Sequence, residues 1–104
     1  MNSSPIIKIG PITIDTNKQI VRFQRRLLDL PCKQYLILEC LAKHQGQVVT
    51  RATLMEKIWN TSTKVWSNAL DVHICELRKK LETSTGKKFI HTISGRGYKL
   101  TNRT

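Results

Sequence analysis

The chain predicts an α+β fold in which short antiparallel strands at both ends enclose a helical middle. Three observations carry this: apolar residues alternate with period two before Leu30, they pair at i and i+4 from Pro31 onward, and glycines break an apolar tail near the C-terminus. At 104 residues and 39% apolar content, one compact domain with a modest core is expected.

The first segment carries the pairs Ile7/Ile9, Ile12/Ile14, Val21/Phe23 and Leu28/Leu30. They are separated by Gly10-Pro11, Asp15-Thr16-Asn17 and Gln24-Arg25-Arg26, which are turn formers, so residues 1–30 read as a small antiparallel meander. The period then changes. Leu36/Cys40, Ile37/Leu41 and Leu38/Ala42 stack on a largely buried helix from Pro31 to His44, with Pro31 suited to its first turn and Gly46 to its end.

A second helix is expected from Thr50, whose hydroxyl can cap it, to about Trp59, with Leu54 and Ile58 inward. Asn60 to Trp66 is polar and reads as a loop. A third helix, capped by Ser67 or Asn68, should run to about Leu81 before Thr83-Ser84-Thr85-Gly86 stops it, so that 31–84 holds three helices. From 87 to 101 the chain reads as two strands around Ser94-Gly95-Arg96-Gly97, a glycine-rich hairpin tip.

Charge points to the partner. Eighteen Lys and Arg against seven Asp and Glu give a net charge of +11, and eight of those bases lie in 67–104 against three acids. Such an excess favours a polyanion. No apolar run approaches the roughly 18 residues of a membrane span, and Met1 to Lys8 lacks the form of a signal peptide, so a soluble cytoplasmic protein without membrane contact is expected.

Metal, cofactor and catalytic readings find little support. Cys32, Cys40 and Cys75 lack C-x-x-C spacing, and His44, His73 and His91 are scattered; reduced thiols and no metal or cofactor are expected. Residues 83–88 lack the upstream glycine of a phosphate loop, and no nucleophile–base pair is suggested by position, so an enzyme is not expected. An RNA-binding sheet would expose stacking aromatics, whereas Phe23, Phe89 and Tyr98 fit core positions.

On the third helix, Leu70, Ile74, Leu77 and Leu81 fall in a stripe about 60° wide, the buried seam. The opposite face then carries Asn68, Val72, Cys75, Glu76 and Lys79, edged by His73 and Lys80 on one side and Arg78 on the other. An amide, a small apolar group, an acid and a base, flanked by cations, suit a helix in a major groove. A short helix, a loop, this helix and a basic hairpin occur in the order of a winged helix-turn-helix.

Three stretches carry a resemblance. Val48-Val49-Thr50-Arg51…Leu54…Ile58-Trp59, Leu70-Asp71-Val72-His73-Ile74…Leu77-Arg78-Lys79-Lys80-Leu81 and Ile90 to Leu100 with Gly95-Arg96-Gly97-Tyr98 resemble the OmpR/PhoB-type effector domain of response regulators. The resemblance spans nearly the whole chain. It implies a four-stranded N-terminal sheet, three helices and a C-terminal wing, with helix three in the major groove and the wing at the adjacent minor groove.

By position it assigns Asn68, Val72, His73, Cys75, Glu76 and Arg78 to the DNA-facing side of the recognition helix, and Thr92, Ser94 and Arg96 to the wing. Trp59 would approach the backbone. The loop holding Thr61, Ser62, Thr63, Lys64 and Val65 matches the one that can contact RNA polymerase. An upstream receiver domain and binding to tandem half-sites, monomeric alone and dimeric on DNA, are further implications. Departures are Glu76, which as an acceptor-only carboxylate suits a cytosine N4 amino group, Ser94 where arginine is frequent, and Pro31 in place of a hydroxyl cap. Alternatives are the DNA-binding domain of a membrane-anchored one-component regulator and a protein-docking winged helix.

Overall fold

The computed structural model describes residues 5–59 and 69–102. The first four strands, β1 (Ile6–Ile9), β2 (Ile12–Asp15), β3 (Ile20–Phe23) and β4 (Arg26–Leu28), form an antiparallel meander in sequence order. Its register pairs Ile9 with Ile12, Ile14 with Val21 and Val21 with Leu28, which puts one row of apolar side chains on one face. Ile9, Ile12 and Ile14 are fully enclosed there.

Helix α1 (Cys32–Lys43) lies beneath and contacts α2 (Arg51–Trp59), α3 (Ala69–Thr85) and both sheets. Its Ile37, Leu38 and Leu41 meet Leu54 of α2 and the seam of α3 in one core. The seam is as the sequence predicts. Leu70, Ile74, Leu77 and Leu81 are the buried residues of α3, because their spacing keeps them on one side of a 3.6-residue turn. The last strands, β6 (Ile90–Ile93) and β7 (Gly97–Leu100), make the wing hairpin.

Three local expectations are corrected. Pro31 stands ahead of α1 as its N-cap, with ψ 156°, and not inside the first turn; without a polar side chain it caps nothing, and its carbonyl accepts from Tyr35 N–H at 2.9 Å. Helix α3 continues past Leu81 to Thr85. The Thr85 hydroxyl donates to Leu81 O at 2.7 Å and accepts from Lys87 N–H, so a residue expected to break the helix closes its last turn instead.

The third correction is a strand inside the expected helical region. Val48–Thr50 forms β5 and pairs antiparallel with β7, giving a three-stranded sheet in the order β5-β7-β6. Three residues are too few for a period-two pattern to register. Thr50 ends this strand and begins α2, its Oγ1 accepting from Thr53 N–H at 3.1 Å as a helix cap should.

Candidate nucleic-acid interface

Helix α3 presents its polar side between two supports. On one edge Asp71 and Arg78 reach the wing. The Tyr98 hydroxyl donates to Asp71 Oδ1 at 2.5 Å, the Arg51 guanidinium donates to the same oxygen, and Arg78 donates to the Thr92 hydroxyl at 2.9 Å. On the other edge His73 packs against Trp59, with ring centroids 5.9 Å apart, Glu76 accepts from the Gln34 amide, and Lys80 donates to Asp29 O at 3.2 Å. The helix is thus pinned to the wing strands and the start of α2 on one side, and to α1, the end of α2 and the β4–α1 connection on the other.

Between these edges lie Val72, Cys75 and Lys79, all exposed, their side chains without a hydrogen bond or ion pair among the described residues. Val72 keeps 50% of its surface in solvent, a large exposure for a β-branched apolar residue on a helix whose other face is fully packed. Glu76 is exposed as well; His73 and Arg78 are half-buried. Thr92, Ser94 and Arg96 stand exposed on the hairpin, and Trp59 is half-buried at the end of α2.

Electrostatics follow the hydrogen bonds. The Tyr98 hydroxyl and the Arg51 guanidinium hold the Asp71 carboxyl below the usual carboxylate range. Burial and the neighbouring carboxylate push the Tyr98 phenol up. Arg51 in turn is held more firmly protonated by Asp71. Lys33 Nζ sits 5.3 Å from the Trp59 ring centroid and donates to Ile58 O, adding a cation beside the His73–Trp59 contact.

Asn68 and Ser67, the expected cap positions, and the loop residues Thr61, Ser62, Thr63, Lys64 and Val65 lie outside the described residues. Four residues important to the arrangement have no site role assigned from the sequence: Arg51 and Asp71, which appear there only within the stretches that carry the resemblance, and Gln34 and Lys33. Asp71 had a signal. It falls on the same edge of α3 as Arg78, and a buried Tyr98 hydroxyl requires a partner. Nothing in the local sequence indicates that Gln34 meets Glu76, 42 positions away.

The three cysteines are unpaired, Cys40 buried and Cys32 and Cys75 exposed. Among the described residues no cluster of His, Cys, Asp or Glu has the form of a metal site, and no helix is long and apolar enough to cross a membrane.

Comparison with known proteins locates the arrangement. Residues 24–100 match the family described as "Transcriptional regulatory protein, C terminal". The transcriptional regulatory protein PrrA of Mycobacterium leprae is 34% identical over 99 residues, covering 95% of this chain and 42% of PrrA. The two-component response regulator PhoP of Pseudomonas aeruginosa is 35% identical over 97 residues, covering 93% of this chain and 43% of PhoP. The chain therefore spans less than half the length of these relatives.

Among solved structures, the DNA-binding domain of CpxR from E. coli superimposes with a TM-score of 0.84 at 30% identity, covering 94% of this chain and 97% of that one. The Klebsiella pneumoniae RstA DNA-binding domain in complex with RstA box gives 0.83 at 27% identity, covering 94% and 98%. The four-stranded sheet, three helices and hairpin are the winged helix of OmpR/PhoB-type regulators.

Proposed function

Because the chain belongs to the family of transcriptional regulatory protein C-terminal domains, a regulatory and not an enzymatic family, we propose that it is the duplex-DNA-binding effector part of a two-component response regulator. Helix α3 lies in the major groove and the β6–β7 hairpin reaches the adjacent minor groove. The observation that carries this is the exposed row Val72, Cys75 and Lys79, framed by edges already tied to the rest of the fold. A helix so braced offers its middle to base edges without further ordering.

In this reading Asn68, Val72, Cys75, Glu76 and Lys79 face bases, while His73, Arg78 and Trp59 approach phosphates. Thr92, Ser94 and Arg96 serve the wing. The loop Thr61 to Val65 is a contact for RNA polymerase, and a receiver domain precedes the effector in a cytoplasmic protein. One such domain buries too little surface for strong specificity, so it binds tandem half-sites about one helical turn apart, monomeric alone and paired on DNA.

The test is titration of a labelled duplex at several salt concentrations. Neutralising about five phosphates gives a log–log slope of roughly −4 to −5. An affinity that stays flat with salt, or no binding to duplex DNA, overturns the reading. Full affinity on an isolated half-site would overturn the tandem arrangement alone.

A further inference from the structure

Gln34 is a polar residue in the core, 1% exposed. Its Nε2 donates to Glu76 Oε1 at 2.8 Å, and its Oε1 has no partner. Reversing the amide would set two acceptors against each other, so chemistry fixes its orientation. A half-satisfied amide in a core is costlier than an apolar side chain of similar size, so packing does not account for this residue. Its bond to the recognition helix does.

Glu76 remains exposed, and its second oxygen carries no hydrogen bond among the described residues. Phosphates repel a carboxylate, so in a groove it gains only from an amino group, foremost the N4 of cytosine. An untethered glutamate loses rotamer freedom on making such a contact, whereas Gln34 has already removed part of it. Glu76 also sits beside the Val72–Cys75–Lys79 row, on the edge nearest α1.

We propose that Gln34 is a specificity-determining positioning residue, which touches no DNA but fixes Glu76 so that its free oxygen meets a cytosine amino group. This rests on the DNA-binding reading above. The preference of the protein for one base pair is then set from the core, by a residue on α1.

The experiment compares wild type, Gln34→Met, Glu76→Ala and the double variant by selection from a randomised duplex pool. Affinities are then measured on the preferred duplex, on single-base-pair changes of it and on random duplex. Glu76→Ala is expected to lose roughly tenfold discrimination at one C·G pair. Gln34→Met should lose about three- to tenfold at that same pair and no other, with random-duplex affinity unchanged and no added loss in the double variant. If Gln34→Met fails to fold, Gln34→Asn keeps an amide in place but one methylene short of Glu76, and the same loss is expected.

Unchanged discrimination in the Gln34 variants, or an equal loss on every duplex, overturns the proposal while leaving DNA binding standing. So does a Glu76→Ala profile identical to wild type, an arm that needs no change in the core. Absence of wild-type binding to any duplex removes the DNA-binding reading and the proposal with it.

Discussion

The Tyr98 hydroxyl donates to Asp71 Oδ1 at 2.5 Å, joining the second wing strand to the first turn of α3 across 27 positions of sequence. Arg51, at the start of α2, closes on the same oxygen. One carboxylate oxygen thus ties together the helix, the wing and the helix that precedes the turn. Together with the Arg78–Thr92 hydrogen bond it sets the placement of α3 relative to the hairpin.

This contact predicts an acid-side signature. The Asp71 carboxyl is held below its ordinary range, chiefly by the Tyr98 hydroxyl and then by Arg51. A group depressed in the folded state contributes stability that is complete above its unfolded pKa, about 4, and lost as pH falls through the lower folded value. Tyr98→Phe is expected to cost about 1 kcal/mol near neutrality and to flatten the loss of stability below about pH 4. Urea denaturation as a function of pH checks this, and an unchanged acid limb would contradict it.

Gly97 predicts a large local cost. Its φ is +155°, and a Cβ there would stand 2.1 Å from Val49 O and 2.8 Å from Thr50 Cα, both backbone atoms of the adjoining strand β5. The close approach of β7 to β5 is why a side chain has no room. Gly97→Ala should destabilise by about 2–4 kcal/mol, through clash and backbone strain together. Gly95, at φ +74° with open space around it, serves as the comparison: Gly95→Ala should cost only about 1 kcal/mol. Equal losses by thermal or urea unfolding would refute the β5 contact.

Val72 predicts a loss confined to the preferred site. Its exposed isopropyl group gains little from water and, with α3 in the major groove as proposed, would pack on a thymine methyl group. Val72→Ala is expected to cost about 1 kcal/mol of binding on the selected duplex and almost nothing on random DNA. Parallel losses on both would point to folding or packing.

Arg96 predicts a preference in the flanking sequence. It is exposed at the hairpin tip between Gly95 and Gly97, where the proposed docking would set it against a minor groove. A·T-rich tracts narrow that groove and deepen its negative potential, so Arg96→Ala should reduce affinity mainly for a site with an A·T-rich flank. Measured on two duplexes differing only in that flank, an undiminished preference would assign Arg96 to generic phosphate contact.

The sequence by itself determined those features that depend on periodicity and turn chemistry. Period-two pairs gave the meander, the seam Leu70, Ile74, Leu77 and Leu81 gave the orientation of α3 and so its exposed row, and Gly95 with Gly97 gave the hairpin. These are local rules, in which each residue acts through neighbours at most four positions away. Tertiary structure decided what depends on residues far apart in the chain. A three-residue β5 exists because β7 offers it a partner; Thr85 stays helical because its hydroxyl satisfies both ends of the turn. The edges of α3 are set by Gln34, Asp29, Thr92 and Tyr98, whose pairings with Glu76, Lys80, Arg78 and Asp71 follow only once the core has brought α1, the wing and α3 together. A hydrogen bond needs its partners within about 3 Å, and no periodic pattern encodes such an approach between segments that meet only after folding.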